Sequence, residues 1–453
     1  MSVKELQSLI DGEVLTDEAS LMLYSYDATP IKIPREKPLC VVLPKSEEDV
    51  IKIVSYCYER DIAIFPRGAG SGLTGGAVPI KKGIVVSFER MNRLEIDREN
   101  AVAFAQPGVI TSHLQDVAES MGFFYPPDPS SYRYSTIGGN VAENAGGPRC
   151  FKYGVTREYV LGLNAVIKEG KLLKTGAPVI KDVAGYDLTK FLVGSEGTLG
   201  LITGVILKLI PKPQARASAL LTFDSIKSLS EATTSIITGG LFPSALEFMD
   251  EEALSVVRAF SNAPVPKAKA LLLIELDGSP CSLKEQLELL EKIVKPHVSD
   301  FKLAIDSSSQ QTLWSARKSL GPALARIASG KINEDIVVPR SRLGEFLERL
   351  KALSEKYSLK IVTFGHIGDG NLHANILYNK SDPSEELRAE TLVDELFELT
   401  LSLGGSITGE HGVGLTKRKF LPWQAREVGY NLMLEIKKLF DPKNLFNPGK
   451  VFT

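Results

Sequence analysis

Two histidines in the last quarter of the chain form a pattern that could bind a metal ion. His366 and His373 flank a glycine-rich turn within residues 365–375, where the sequence reads as a strand, a tight turn and a second strand. A hairpin of this kind brings both imidazoles to one end of the paired strands. Because side chains alternate along a strand, His373 and Asn375 should lie on the same face.

A carboxylate and another histidine follow in a second glycine-flanked stretch. Glu410 and His411 lie within residues 408–414, Thr-Gly-Glu-His-Gly-Val-Gly. Two histidines and a carboxylate make a ligand set for Zn²⁺, Mn²⁺ or Fe²⁺ and leave coordination positions for a substrate. A single histidine is more often an ordinary core or surface residue, which we expect for His113 and His297. Histidines in glycine-flanked turns favour a site, although their spacing is less diagnostic than His-Glu-x-x-His on a helix.

A second unusual cluster is the run Pro66–Gly76, which contains five glycines within nine residues. Glycines supply no side chain to a core, so such a loop suits close approach of its amides to a phosphate. The spacing Gly70-x-Gly72-x-x-Gly75 matches the nicotinamide-dinucleotide fingerprint, but that fingerprint needs a helix to open at the glycines. Pro79 and a strand at 83–88 follow instead, so we reject a nicotinamide cofactor. A glycine-rich hairpin without a ligand remains the alternative for this loop alone.

Two further stretches, 126–147 and 193–203, consist mainly of small residues. The first lies between strong strand and helix signals, where a structureless loop of that length is uncommon. Small side chains and backbone amides in such number indicate close packing against a large flat ligand.

The amino-acid composition limits the classes of protein to which the chain can belong. A chain of 453 residues predicts about three domains or two large ones, and 43% hydrophobic with 24% charged residues is typical of a globular protein. The net charge of -2 gives no sign of a nucleic-acid or anionic-membrane partner. The longest apolar run, 198–207, is too short to span a bilayer, and the first residues do not read as a signal peptide. The four cysteines lie far apart, which excludes a thiolate-bound iron–sulfur or zinc site within the chain and fits a reducing cytoplasm.

Periodicity predicts the elements that position these stretches. A strand at 39–43, a helix opened by a capping box at Ser46 and a strand at 62–65 form a β-α-β unit that delivers the glycine loop. A strand at 101–105, a helix at 112–121 and a hairpin at 161–174 follow. Pro211-Lys212-Pro213 is the clearest domain boundary. Beyond it, strands alternate with amphipathic helices, which predicts an α+β domain with an antiparallel sheet that acts as a cap.

With these stretches in this order, the chain resembles the FAD-linked oxidases of the vanillyl-alcohol-oxidase type. Within them it is similar to the glycolate oxidase FAD subunit, D-lactate dehydrogenase and D-2-hydroxyglutarate dehydrogenase group. The resemblance extends from Pro38 to Phe452. Its markers are the glycine loop and five later stretches: 127–147, 194–200, 365–373, 409–412 and 444–450.

The resemblance implies an α+β fold with a two-subdomain FAD-binding domain of the PCMH type and an α+β cap domain built on an antiparallel sheet. The expected divisions are an N-terminal helical segment at 1–37, the FAD-binding domain at 38–213, the cap or substrate domain at 214–408, and a C-terminal segment at 409–453 that returns to the FAD domain.

The resemblance also implies which residues hold FAD. The first loop lacks the histidine through which some relatives attach the flavin, so the cofactor should be non-covalent. The implied FAD-binding residues are Pro66, Arg67, Gly68, Ala69, Gly70, Ser71, Gly72, Leu73, Thr74, Pro127, Asp128, Ser135, Thr136, Gly138, Gly139, Asn140, Ala142, Asn144, Ala145, Gly146, Glu196, Gly197, Gly200, Ile202 and Asn447.

Relatives with the histidine hairpin carry a divalent metal at the positions of His366, His373 and Glu410, which implies zinc here, or manganese or iron. The metal would bind the carboxylate and hydroxyl of a 2-hydroxy acid as a Lewis acid. His411 would take the hydroxyl proton as general base while the C2 hydrogen leaves as hydride to flavin N5. Arg317 matches an arginine that binds the substrate carboxylate, the alternative being an exposed helix charge, and Asn375 would assist in the pocket.

The resemblance implies a small substrate such as D-lactate or glycolate. In the 2-hydroxyglutarate enzymes a threonine four residues after the arginine, and a later lysine, bind the distal carboxylate. Here the first position is Gly321 and the second lies near Asn333.

The chain encodes no electron relay, so the implied acceptor is a partner: an electron-transfer flavoprotein, an iron–sulfur subunit or a quinone-linked complex. At most peripheral membrane association and a possible homodimer are expected, with a cytoplasmic location. Two alternatives use the same fold. An alkyl-glycerone-phosphate synthase would use flavin without net redox change and predicts a longer, more basic chain. A non-catalytic FAD electron-transfer subunit predicts loss of the His366, His373, Glu410 and His411 set, which is present.

Overall fold

The computed structural model describes residues 3–453, and the chain forms two compact units. The first unit contains the described residues up to Gly146, together with Val155–Lys212 and Glu410–Thr453. The second contains Gly147–Gly154 and Pro213–Gly409.

The α-helices of the described residues are α1 Val3–Leu9, α2 Glu18–Leu23, α3 Glu47–Glu59, α4 Thr111–Ser120, α5 Ile137–Glu143, α6 Cys150–Tyr153, α7 Leu188–Leu192, α8 Ile226–Thr238, α9 Glu251–Phe260, α10 Pro280–Val294, α11 Ser307–Leu324, α12 Leu343–Tyr357, α13 Pro383–Ser402 and α14 Leu421–Phe440.

The strands are β1 Glu13–Leu15, β2 Cys40–Leu43, β3 Ala63–Arg67, β4 Gly83–Ser87, β5 Leu94–Asp97, β6 Val102–Ala105, β7 Phe123–Phe124, β8 Val160–Ile167, β9 Lys171–Gly176, β10 Leu201–Lys208, β11 Ile210–Pro211, β12 Ala215–Phe223, β13 Ala245–Asp250, β14 Ala270–Gly278, β15 Asp300–Ala304, β16 Gly330–Val337, β17 Lys360–His366 and β18 Asn371–Tyr378.

The first unit contains two main sheets. One has the order β1-β2-β4-β3, with β2 and β3 parallel to β4, and the other has the antiparallel order β5-β6-β10-β8-β9. Helix α3 connects β2 to β3, as predicted. The Ser46 side chain caps its first turn by accepting a hydrogen bond from the Asp49 amide, and Val50, Ile53 and Val54 of the helix are fully buried.

The chain between β3 and β4 contains the glycine loop and no helix among its described residues. This geometry agrees with the rejection of a nicotinamide fingerprint, because that fingerprint requires a helix that begins at the glycines.

Two segments differ from the sequence-based expectations. The stretch 126–147 contains helix α5, which two glycines at its start had concealed because glycine disfavours helices. Thr136 caps this helix, and its buried Ile137 and Val141 supply the packing that outweighs the low propensity. The N-terminal segment 1–37 is helical in α1 and α2 but also contains β1, which pairs with β2; residues 1 and 2 lie outside the described residues.

The last stretch of the chain packs into the first unit. Phe446 forms a parallel bridge with Ile64 of β3, and the Ile64 amide donates a hydrogen bond to the Leu445 carbonyl at 2.8 Å. The bridge places the tail directly beside the strand that leads into the glycine loop.

The second unit is built on a seven-stranded sheet with the order β15-β12-β14-β13-β17-β18-β16, in which all registered pairs are antiparallel. Helices α9 and α11 cover one face, where Ala253 and Leu320 pack against Met249, Leu273 and Phe364 of the strands. This sheet confirms the predicted α+β fold class with an antiparallel sheet backed by helices. None of the helices described for residues 3–453 combines the length and apolar composition needed to cross a bilayer.

Candidate active site

A cleft in the first unit collects most of the residues that the resemblance assigns to FAD. The loop after β3, helix α5 with its flanks, and the stretch before β10 all line it. The FAD-assigned residues that line it are Pro66, Arg67, Gly68, Ala69, Gly70, Ser71, Gly72, Leu73, Ser135, Thr136, Gly138, Gly139, Asn140, Ala142, Ala145, Gly146, Glu196, Gly197, Gly200, Ile202 and Asn447.

Four of the assigned residues do not line this cleft. Thr74 instead hydrogen-bonds the His411 carbonyl at 3.2 Å, and the Asn144 side chain accepts the Arg157 amide at 2.9 Å. The Pro127 carbonyl accepts a hydrogen bond from Gln115 at 2.9 Å. The fourth residue is Asp128.

Sequence reasoning also missed residues that line the cleft, among them Ala28, Phe88, Pro107 and Glu143. The first three come from separate elements that carry no motif. Glu143 lies within the marker stretch 127–147, and a lone acid in a run of small residues was the available signal.

The glycine loop is shaped to leave room for a ligand. Arg67 is buried beneath it, and its guanidinium donates to the Tyr26 carbonyl at 2.6 Å. A Cβ at Gly70, where φ is +67°, would lie 2.2 Å from that guanidinium. A Cβ at Gly72 would meet no protein atom within 4 Å, although Gly72 lines the cleft. The open space beside Gly72 and the surrounding amides fit the pyrophosphate of FAD.

Two carboxylates lie close together in the wall of the cleft. A Cβ at Gly412 would lie 2.3 Å from an oxygen of Glu143 and 3.1 Å from one of Glu196. The amides of Val413 and Gly414 donate to Glu196 at 2.8 and 2.7 Å. Burial, the neighbouring Glu196 and Asp27 together raise the pKa of Glu143 well above its ordinary value. Glu143 therefore presents to the cleft a carboxyl group whose pKa is raised.

Glu410 and His411 line the same cleft of the first unit. Nε2 of His411 lies 3.9 Å from Oε1 of Glu410, and both side chains are largely buried. An acid and a base therefore accompany the FAD-assigned loops.

In the second unit, the hairpin of β17 and β18 brings His366 and His373 together, as the glycine turn predicts. Their rings meet edge to face, with 5.3 Å between the ring centroids. One nitrogen of His366 lies within 4.8 Å of one nitrogen of His373. Each residue is only 5% exposed. Two buried imidazoles at this separation fit a divalent metal as shared ligands.

A buried glutamate that sequence reasoning missed joins this pair to Arg317. Glu247 lies opposite His366 in the register of β13 and β17, and its Oε1 hydrogen-bonds Nδ1 of His366. Its Oε2 accepts Nε of Arg317 at 2.8 Å. Burial alone would raise the pKa of Glu247, but the charges of His366 and Arg317 outweigh it and the pKa is lowered.

Arg317 is partly buried, which disfavours its reading as an exposed helix charge. Its side chain is 19% exposed, and its guanidinium lies 4.5 Å from the ring centroid of Phe364. The Phe364 ring in turn lies 5.3 Å from the ring of His373, so these aromatic contacts hold the arginine beside the imidazole pair.

Asn375 lies on the same sheet face as His373, as strand alternation predicts, and is fully buried. Its amide donates to the carbonyls of Val362 and His373 at 3.2 and 3.3 Å. Its Oδ1 is buried without a hydrogen-bond partner among residues 3–453. A buried acceptor of this kind is available to a ligand hydroxyl.

Asp335 is a second acid that sequence reasoning missed. It lies opposite His373 in the register of β16 and β18 and is fully buried. Its oxygens accept from Asn371 Nδ2 at 2.6 Å, Thr408 Oγ1 at 2.9 Å and the Gly409 amide at 2.8 Å. Asp335 therefore holds the two residues that directly precede Glu410 in the chain.

The architecture matches solved flavoenzyme structures over nearly the whole chain. p-Cresol methylhydroxylase with substrate bound superposes with a TM-score of 0.83 at 17% identity, covering 99% of this chain and 96% of that one. Alkyldihydroxyacetonephosphate synthase gives a TM-score of 0.78 at 20% identity, covering 98% and 85%. At these identities the likeness defines the fold class, which is the PCMH-type FAD-binding fold.

Family models and sequence relatives are more specific. The model "FAD linked oxidases, C-terminal domain" matches residues 212–451, and an FAD binding domain model matches residues 38–176. The chain therefore belongs to the FAD-linked oxidase family. It is 42% identical to glycolate oxidase subunit GlcD of Bacillus subtilis, over 99% of this chain and 96% of that protein.

Two further relatives carry different activities in their names. The chain is 36% identical to a D-lactate dehydrogenase of Archaeoglobus fulgidus, over 94% of this chain and 95% of that protein. It is 35% identical to a D-2-hydroxyglutarate dehydrogenase of Stutzerimonas stutzeri, over 99% and 98%. The protein is an FAD-dependent oxidoreductase of the glycolate oxidase and D-lactate dehydrogenase type.

Proposed function

We propose that this protein oxidises a small 2-hydroxy acid, D-lactate or glycolate, to the 2-oxo acid with FAD and a divalent metal ion. The observation that carries the proposal is the buried His366 and His373 pair beside Arg317 in the second unit. A 2-hydroxy acid presents a carboxylate next to a hydroxyl. An arginine fork suits the first group, and a metal held by imidazoles suits both.

The proposed metal ligands are His366, His373 and Glu410, with zinc favoured and manganese or iron as alternatives. Nδ1 of His366 is engaged by Glu247, and we assign its Nε2 to the ion. When bound, the metal supplies Lewis acidity and the flavin supplies a hydride acceptor at N5.

The remaining steps belong to side chains of this protein. Arg317 binds the substrate carboxylate through its terminal nitrogens, since its Nε is directed to Glu247. Oδ1 of Asn375 accepts a hydrogen bond from the substrate. His411 removes the hydroxyl proton, a task for which imidazole is suited near neutral pH.

A substrate without a second carboxylate is supported by one position of α11. Gly321 lies one helical turn after Arg317, and a Cβ there would meet nothing within 4 Å. No cation stands at that position to pair with a second carboxylate. We therefore favour D-lactate or glycolate over 2-hydroxyglutarate.

We also propose that the reduced flavin passes electrons to a separate protein, an electron-transfer flavoprotein or an iron–sulfur subunit. The word "subunit" in the name of the Bacillus subtilis relative supports an assembly of this kind. The proposed location is cytoplasmic, on the evidence of the cysteine pattern.

The test is anaerobic bleaching of the flavin absorbance by a panel of D- and L-2-hydroxy acids. Protein as purified, chelator-treated protein, and treated protein resupplied with Zn²⁺ or Mn²⁺ are compared. We expect bleaching by D-lactate or glycolate, loss after chelation and recovery with metal. Absence of bleaching by every acid, with metal demonstrably bound, contradicts the proposal and favours a transferase that uses flavin without net reduction.

A further inference from the structure

Glu247 is a charged residue in the interior of β13, where apolar side chains flank it on both sides. Its side chain is 0% exposed, and its neighbours along β13, Leu246 and Phe248, are fully buried. A buried carboxylate is costly unless it is paired and hydrogen-bonded. Glu247 meets this condition with two different partners, one on each oxygen.

The two hydrogen bonds have directional consequences. With Glu247 ionised, its Oε1 accepts the proton on Nδ1 of His366, which fixes the tautomer whose lone pair is on Nε2. Its Oε2 accepts a hydrogen bond from Nε of Arg317 and so orients the guanidinium. The guanidinium also lies over the ring of Phe364. One side chain thereby determines which atoms of both residues are presented to ligands.

We infer that Glu247 is a positioning residue that couples metal binding at His366 to carboxylate recognition at Arg317. The inference rests on the proposed function, because it assigns a ligand to each partner. Glu247 itself contacts neither ligand: both of its oxygens are used by the two side chains that do.

Glu247→Gln is the sharpest test, because glutamine has one acceptor and one donor. Its oxygen can accept from Arg317, but its NH₂ group then faces His366 and favours the tautomer with the proton on Nε2. The ligating lone pair is lost. We expect Zn²⁺ affinity to fall about 10- to 100-fold, the range for loss of such an outer hydrogen bond. The Michaelis constant for the substrate should rise less, since the bond to Arg317 is retained.

Glu275→Gln is the matched control. Glu275 is on the adjacent strand β14, is 8% exposed, and accepts from Arg149 Nε at 3.3 Å and Ser244 Oγ at 3.0 Å. Both variants remove one buried negative charge from the same sheet, but only Glu247→Gln alters a neighbour of the imidazole pair. We expect Zn²⁺ affinity within twofold of the unsubstituted protein for Glu275→Gln.

The measurement is Zn²⁺ affinity by competition with a chromophoric chelator, on FAD-loaded protein without substrate. Flavin content and thermal unfolding report whether each variant is folded. Zn²⁺ affinity of Glu247→Gln within twofold of the unsubstituted protein overturns the inference, as does an equal loss in Glu275→Gln. If Glu247→Gln does not fold, Glu247→Asp is measured in its place. Aspartate keeps two acceptor oxygens on a shorter side chain, so the Zn²⁺ affinity should fall several-fold. An unchanged Zn²⁺ affinity overturns the inference.

The two hypotheses fail in different ways. Lack of Zn²⁺ binding and of flavin bleaching by the unsubstituted protein counts against the proposed function itself. Normal binding and bleaching by the unsubstituted protein, with no difference in Glu247→Gln, counts against the role of Glu247 alone.

Discussion

The side-chain amide of Asn447 donates a hydrogen bond to the backbone carbonyl of Glu196 at 2.8 Å, across 251 residues of sequence. The same NH₂ group donates to the Gly76 carbonyl at 2.9 Å. One asparagine therefore ties the end of the glycine loop to the stretch before β10, and both segments line the cleft of the first unit or directly adjoin it.

Replacement of Asn447 by alanine should loosen that tie. The buried carbonyl of Glu196 and the partly buried carbonyl of Gly76 would lose their donor, which costs about 1–3 kcal/mol of the free energy of unfolding. FAD affinity should fall as well, because the two walls of the cleft are no longer held together. Denaturant unfolding of the apoprotein and titration with FAD measure both effects. Asn431→Ala, at an exposed position of α14, is the control and should change neither. An unaltered FAD affinity in Asn447→Ala would show that the tie is purely structural.

Gly72→Ala and Gly70→Ala should affect different properties: the first should weaken cofactor binding, and the second should lower the stability of the apoprotein. At Gly72 a Cβ meets no protein atom within 4 Å, so the apoprotein should unfold as before, while FAD affinity should fall at least about 10-fold through a clash with the ligand. At Gly70 the positive φ of 67° and the contact with Arg67 should destabilise the apoprotein itself, by about 1–2 kcal/mol from the backbone alone. Normal FAD binding by Gly72→Ala would mean that the loop does not approach the cofactor.

The apoprotein should lose stability as pH rises above the ordinary range of glutamate, and Glu143 should contribute to that loss. Its raised pKa means that the folded state binds more protons than the unfolded state, from about pH 4.3 up to the raised value. Within that window the free energy of unfolding falls with pH by at most about 1.4 kcal/mol per unit for this one group.

Glu143→Gln cannot titrate and should flatten this dependence. Urea unfolding of the apoprotein between pH 5 and 8 gives the measurement, with the exposed Glu99→Gln as control. Parallel pH profiles for Glu143→Gln and the unsubstituted protein would show that Glu143 is ionised in the folded state.

Arg317→Lys should impair substrate binding despite the retained charge. Lysine cannot donate to Glu247 through an Nε–H and also present a planar fork to a carboxylate. We expect kcat/KM for the 2-hydroxy acid to fall about 100-fold, which is about 2.7 kcal/mol. Most of the fall should come from a higher KM. Arg326→Lys, at an exposed position just beyond α11, should have no effect. Equal kinetics for the two variants would remove Arg317 from the substrate site.

The sequence was most informative where local geometry alone decides the structure. A glycine turn between two alternating strands was enough to predict that His366 and His373 meet, and a serine before an acidic turn predicted the start of α3. Helix α5 was missed because the low helix propensity of its two glycines argued against it, whereas the Thr136 cap and the buried contacts of Ile137 and Val141 favour it.

Glu247 and Asp335 were missed for a different reason. Each is an acid inside a strand, and its partner is defined by strand register rather than by distance along the chain. The register of a seven-stranded sheet depends on all of its pairs of neighbouring strands together. One sequence does not reveal these pairings. An acidic residue inside a strand was the available signal, and it does not identify a partner.

The bridge between Phe446 and Ile64 bears on how the protein is made. Ribosomes add about 5–20 residues each second, so Ile64 emerges roughly 20 to 80 s before the residue that completes its neighbourhood. During that interval β3 and the glycine loop lack the segment around Phe446 and are accessible to chaperones. Loading with flavin should therefore follow synthesis of the segment around Phe446 rather than precede it.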